Sequence, residues 1–101
     1  MSEEKWHEKT LAWQLGNIGS EIVRAINREE KGDLNGKQNA IERALELLDF
    51  TLTDKNNFSR LKEVARLREV LAGIYVGSDY YQVNLQAIQN YLLPFAVLAR
   101  K

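Results

Sequence analysis

Apolar positions recur along this chain at the alternating three- and four-residue steps of a helix surface. Leu11, Leu15, Ile18, Ile22 and Ala25 step by 4, 3, 4 and 3, which places them on one face. Ala12, Gly16, Gly19, Val23 and Ile26 form a second stripe beside it. A glycine costs about 1 kcal/mol in a helix interior. Gly16 and Gly19 therefore imply a reason, and close approach of another helix supplies one. Helix 1 is expected from Glu4 or Thr10 to Lys31.

Lys31-Gly32-Asp33-Leu34-Asn35-Gly36 breaks that pattern. Helix 2 is expected over Lys37–Thr53, where Ile41, Leu45, Leu48 and Leu52 share a face widened by Ala40, Ala44 and Leu47. Thr53 to Asn57 is the second break, with Asn56 or Asn57 as candidate cap of the next helix. Helix 3 is expected over Phe58–Val76 on Leu61, Val64, Leu67, Leu71 and Ile74. Gly77-Ser78-Asp79 ends it, with Gly77 suited to the left-handed position past a helix end. Helix 4 starts between Tyr81 and Asn84 and reaches Ala99, on Leu85, Ile88, Leu92, Phe95 and Ala99. Pro94 falls inside it and should kink it or weaken its last turn.

Four amphipathic helices with short connections predict an all-α, single-domain protein over residues 1–101. Its simplest arrangement is an antiparallel up-down-up-down four-helix bundle with helix 4 kinked near Pro94. Neither a linker nor an internal repeat divides the chain.

Composition narrows the function classes. The chain has 101 residues with 14 basic and 14 acidic side chains, so its formal charge is zero. A neutral domain lacks the surplus positive charge from which general nucleic-acid affinity comes. Zero cysteines exclude disulfides, thiolate metal sites and a cysteine nucleophile, and a single histidine excludes any two-histidine site. That residue, His7, reads as a surface side chain. No basic segment followed by an apolar run opens the chain, and no stretch approaches the roughly 18 apolar residues of a membrane span. The expectation is a soluble cytoplasmic protein without cofactor or membrane contact.

The charges are partitioned between helices 2 and 3. Glu42, Glu46 and Asp49 lie on helix 2, and Arg60, Lys62, Arg66 and Arg68 on or beside helix 3. An antiparallel hairpin turning near Asn56 would set Asp49 opposite Lys62, Glu46 near Arg66, and Glu42 near Arg68 or Glu69. The principal reading is a row of seam salt bridges; such exposed pairs contribute about 0–1 kcal/mol each but help set register. The alternative reading makes Arg60, Lys62, Arg66 and Arg68 a nucleic-acid-binding strip. A third reading takes Glu42, Glu46 and Asp49 as a Mg²⁺ site, similar to the carboxylate helix of MazG-type nucleotide pyrophosphohydrolases. The second acidic motif of that family is missing here. HEPN-type ribonucleases need an Arg-x(4–6)-His motif, and no histidine follows position 7.

On helix 1, Gln14, Asn17, Glu21, Arg24 and Arg28 form a polar row beside the apolar face. It is read as a boundary network in which an arginine of helix 3 pairs with a partly buried Glu21, with a ligand site as the alternative. Trp6 and Trp13 share another row with Thr10 and Ser20. Inside the monomer the tryptophans would cap the bundle; outside, they would anchor an interface.

Several stretches together carry a resemblance: Trp6-His7, Gly16 to Ile22 with Arg24-Ala25-Ile26, Glu42 to Asp49, and Arg60 to Glu63 with Arg66 to Val70. They resemble an uncharacterised family of small prokaryotic helical proteins over nearly the whole chain. That resemblance implies no activity and lends no catalytic residues. In architecture the chain is similar to the four-helix-bundle proteins of ribosomal RNA intervening sequences and the accessory protein of diversity-generating retroelements. Those bundles are oligomeric and bind nucleic acid through basic surfaces; this chain departs from them in being neutral.

The resulting expectation is a non-enzymatic protein-interaction module that forms a homo-oligomer, such as a dimer. Its contact surface is expected around Trp6, Trp13, Asn17, Glu21 and Arg24.

Overall fold

The computed structural model describes residues 2–78 and 83–100, and of Phe58 the backbone alone. The described residues form α1 (Glu3–His7), α2 (Leu11–Glu30), α3 (Leu34–Leu52), α4 (Leu61–Tyr75) and α5 (Leu85–Ala99). A 3-10 segment over Lys55–Arg60 precedes α4. The protein is all-helical, with no strand among the described residues. No described helix is long and apolar enough to cross a membrane.

Of the two expected starts of the first helix, Thr10 is the one that holds, and a separate short helix, α1, precedes it. Thr10 adopts an extended conformation and its hydroxyl accepts from the Trp13 N–H, so α2 starts afresh at Leu11. Ser2 caps the short α1 in the same way. At the other end of α2, Gly32 takes φ +74°, and the Asp33 N–H donates to the Arg28 carbonyl. The chain thereby reverses, and the Asp33 side chain caps α3 through the Gly36 N–H, so α3 begins three residues earlier than expected. Gly77, at φ +80°, closes α4 as anticipated, with the Ser78 N–H reaching the Gly73 carbonyl. Asn84 caps α5, which runs through Pro94 to Ala99. The expectations for Asp79 and Tyr81 fall outside the described residues.

α2 is the central element, packed along both α3 and α5, while α4 packs on α3 and α1 lies against α3. Glu21 of α2 meets Arg43 of α3 and Glu29 meets Lys37, so partners descend along α3 as they ascend along α2. The glycine stripe of α2 faces α5: Gly16 lies against Ala96 and Gly19 against Leu92. Both are the close approaches that their cost in a helix interior implied.

The core is a single cluster that includes Leu15, Ile18, Ile22, Ile41, Ala44, Leu48, Leu71 and Leu92. It also contains Trp6. Between α4 and α5 a groove of about 270 Å³ opens, lined by Leu67, Val70, Ala87 and Ile88 among others.

Candidate functional site

Each residue singled out in the sequence can be followed to its place. Trp6 is 2% exposed and its indole N–H donates to Thr51 Oγ1 at 2.9 Å, so it is a core residue and not an open contact. The cause is the break at residues 8–10, which folds α1 back across the end of α3. Trp13 stays half-buried, 5.3 Å from Trp6 in an edge contact, with the Lys9 ammonium over its ring. His7 is not a plain surface group. It is half-buried, and its Nε2 lies 2.8 Å from the Phe50 carbonyl oxygen. A carbonyl only accepts, so Nε2 carries the proton.

The polar row of α2 splits in two directions. Gln14 is fully buried and joins a knot with Asp54 and Asn57. Its amide nitrogen donates to Asp54 Oδ2 at 2.8 Å and to the Trp6 carbonyl at 2.9 Å; its oxygen accepts from Asn57 Nδ2 at 3.0 Å. Asn57 thus acts inside the core, and α4 has no side-chain cap. Among the described residues, no buried side-chain polar atom is left without a partner. Further along, Asn17 bonds back to the Trp13 carbonyl. Glu21, 14% exposed, takes Arg24 at 3.2 Å and Arg43 at 2.9 Å. Its cross-helix partner comes from α3 and not from the helix expected third.

The α3–α4 seam carries the ion pair of Asp49 with Arg68, in a different register from the one expected. Asp49 receives both Nε and Nη2 of Arg68, not Lys62. Arg68 lies six positions beyond Lys62, and the 3-10 segment is six residues long. That segment spends residues that a tight turn would have left to the helices, so the partners of Asp49 and Glu42 lie further along α4 than expected. Glu42 correspondingly receives the hydroxyl of Tyr75. That hydrogen bond first, then burial and the charge of Glu42, raise the Tyr75 phenol above its ordinary pKa. Arg60 pairs with Glu63 at 2.7 Å, and its pKa is raised by that hydrogen bond and by the charge of Glu63.

These placements bear on the alternatives. Of the basic strip, Arg60 and Arg68 are held by carboxylates, Arg66 also has a partner, and Lys62 stands exposed. The carboxylates Glu42, Glu46 and Asp49 do not converge: Glu42 faces Tyr75 and Asp49 faces Arg68. Among the described residues, no three His, Cys, Asp or Glu side chains are placed to hold a metal ion.

The largest unexplained feature is α5. Its fifteen residues, Leu85–Ala99, include no charged side chain. Leu85, Ile88 and Leu92 are buried against the rest of the chain, yet Leu93, Val97 and Leu98 are 57%, 50% and 56% exposed. With exposed Pro94 they form one outward apolar ridge at i, i+4 spacing. Tyr91 flanks the ridge and its hydroxyl bonds to Glu63 across the groove. On the other flank, Trp13, Asn17 and Ser20 border Ala96, Ala99 and Arg100 in a shallow depression. The apolar run from Tyr91 to Ala99 is plain in the sequence, but periodicity gives its outer half no role. Its freedom from charge on both faces was the available signal.

No family model, curated protein or solved structure matches the chain.

Proposed function

We propose that this protein is a non-enzymatic interaction module that self-associates through the outer face of α5, most simply as a two-fold dimer. The supporting observation is the ridge of Leu93, Pro94, Val97 and Leu98 on a helix whose opposite face is already buried. From Tyr91 to Ala99 α5 is apolar on both faces; a helical stretch of that kind belongs in an interior, and a second copy supplies the missing cover. Zero net charge leaves no long-range repulsion between copies. A two-fold arrangement sets the ridge against itself, as isologous contacts require.

The fifteen residues of α5 span about 22 Å and a helix is about 10 Å across, so even the whole outer face of α5 offers only roughly 200 Å², and the ridge less. A stable interface takes about 800 Å² from each partner. The contact therefore extends over both flanks, to Trp13 and Asn17 on α2 and to Glu63 and Tyr91 beside the α4–α5 groove. This reading keeps Trp13 and Asn17 of the predicted surface and moves its centre from α2 to α5. It includes the antiparallel up-down bundle as the arrangement within each copy. That architecture accords with the oligomeric helical bundles the sequence resembles.

Light scattering on a sizing column tests it. The chain should elute at a multiple of 11.6 kDa, and the double variant Leu93→Glu/Val97→Glu, with unchanged circular dichroism, as a monomer. A monomeric parent protein at about 100 μM, a concentration at which micromolar dimers are fully formed, would overturn the proposal.

A further inference from the structure

The antiparallel seam of α2 and α3 holds a second feature, unconnected with α5. Arg24 and Arg28 lie one turn apart on α2. Asn35, Asn39 and Arg43 lie at successive turns of α3 directly across from them. Together with Asp33 they line a concavity of about 450 Å³. Three guanidinium groups thus face one space in which a single lining residue is acidic. With Glu21, which pairs with two of them, counted beside Asp33, the three guanidinium groups keep a surplus of one positive charge.

The arginines are held in place, yet most of their donors are unused. The two carboxylate oxygens of Glu21 take one bond each, from Arg24 Nη1 and Arg43 Nε. Asp33 takes Arg28 Nη1 at 3.4 Å. A guanidinium carries five N–H donors, so each of the three retains several after its one bond to a described residue. Asn35 and Asn39 bear no side-chain bond to a described residue, and Asn35 is exposed. The N-terminal dipole of α3 is already engaged, because the Gly36 N–H donates to Asp33 Oδ1. The guanidinium groups therefore carry the site.

We infer that this concavity binds a phosphoryl group, with Arg24, Arg28 and Arg43 on its oxygens and Asn35 and Asn39 completing the ring of donors. Planar guanidinium forks match the paired oxygens of a phosphate and bind them by two parallel hydrogen bonds. Three guanidinium groups offer more donors than the two oxygens of a carboxylate can use, and suit the larger set of oxygens on a phosphate. Glu21 acts as a positioning residue: by clamping Arg24 and Arg43 from different helices it fixes their separation before a ligand arrives.

The phosphate can belong to a small molecule or to a nucleic-acid backbone, and one titration separates them. The full chain is titrated with inorganic pyrophosphate, and separately with a single-stranded oligonucleotide, at constant ionic strength. Nuclear magnetic resonance follows the arginine Nε–H and asparagine side-chain signals. Saturable shifts confined to Arg24, Arg28, Arg43, Asn35 and Asn39 support the site. If pyrophosphate alone shifts them, the natural ligand is a small phosphorylated molecule. If the oligonucleotide binds there and pyrophosphate displaces it, the ligand is a nucleic-acid backbone. Arg43→Lys keeps the charge but loses the fork, and should weaken binding about tenfold. Asn39→Asp puts a negative charge into the space at an unbonded side chain, and should weaken it at least about tenfold with an unchanged melting temperature. No saturation by about 10 mM ligand, or equal binding by Asn39→Asp, would overturn the inference.

Discussion

Gly16 lies directly beneath the backbone of Ala96: a Cβ built on the glycine would stand 2.9 Å from Ala96 Cα and 3.3 Å from its nitrogen. The obstacle is main chain, so no rotamer change relieves it. Gly16→Ala should destabilise the protein by about 1–3 kcal/mol, the usual cost of overpacking a close helix contact. At Gly19 the nearest obstacle is Leu92 Cβ at 3.3 Å, which a shift of a few tenths of an ångström relieves. Gly19→Ala should cost clearly less. Urea unfolding of the two variants side by side checks the order; equal losses would mean that α5 is free to move away from α2.

Gly73 provides the opposite case. It sits inside α4, and a methyl group added to it would meet no atom within 4 Å. Gly73→Ala should stabilise the protein by about 0.5–1 kcal/mol, because alanine restricts the unfolded chain and meets nothing in the folded one. A rise in the urea midpoint at constant slope is the expected result.

The buried hydrogen bonds at this end of the molecule predict the cost of stranding one partner. Asn57→Ala removes the donor to Gln14 Oε1 and leaves that oxygen inside the core, so it should cost about 1–3 kcal/mol. Thr51→Val, nearly the same shape, strands the Trp6 indole N–H and should cost a similar amount. Thr51→Val should also shift the Trp6 emission. A neutral outcome for both would show that water enters this end of the molecule.

Tyr75 gives a pH dependence of known sign. Its phenol is raised by the hydrogen bond to Glu42, so the fold favours the protonated form. The contribution is fully present below the pKa of the unfolded chain and is lost as pH rises through the folded pKa. The parent protein should therefore melt above Tyr75→Phe at pH 8, and the gap should close as pH rises past about 10. Absorbance at the tyrosinate band should show a late-titrating step in the parent protein that is missing from Tyr75→Phe. A gap that widens with pH would contradict the assignment.

Periodicity was sufficient to read α2, α3, α4 and α5, because each buries one face, and it also foretold that Gly16 and Gly19 meet another helix. It did not reveal the division between α1 and α2. Trp6 and Trp13 are seven positions apart, two helical turns, so a helix that restarts in phase looks like one that continues. Of the expected row of α3–α4 salt bridges the structure gives the pair of Asp49 with Arg68, in another register, since Phe58 serves equally as the start of a helix and as part of a 3-10 segment. Asn57 read as a cap because asparagine near a helix start usually is one; its use by Gln14 depends on a residue 43 positions away. Of the candidate surfaces, the row of Trp6 and Trp13 was visible by its aromatic residues. The ridge on α5 looked like ordinary core, because hydrophobicity alone does not tell which face is already covered.

The pairing of α2 with α5 has a consequence for how the chain acquires its shape. Residues 16 and 96 are brought together only after everything between them has been made and placed. The α2–α3 and α3–α4 hairpins close over short connections and can form early. The glycine-lined seam must wait for the last helix and stands open until then. Folding should therefore show a late step whose rate responds to Gly16→Ala and Leu92→Ala but hardly to changes at the α3–α4 ion pair. A ribosome-bound chain stalled before Leu85 would present that seam to its surroundings as an unfilled trough.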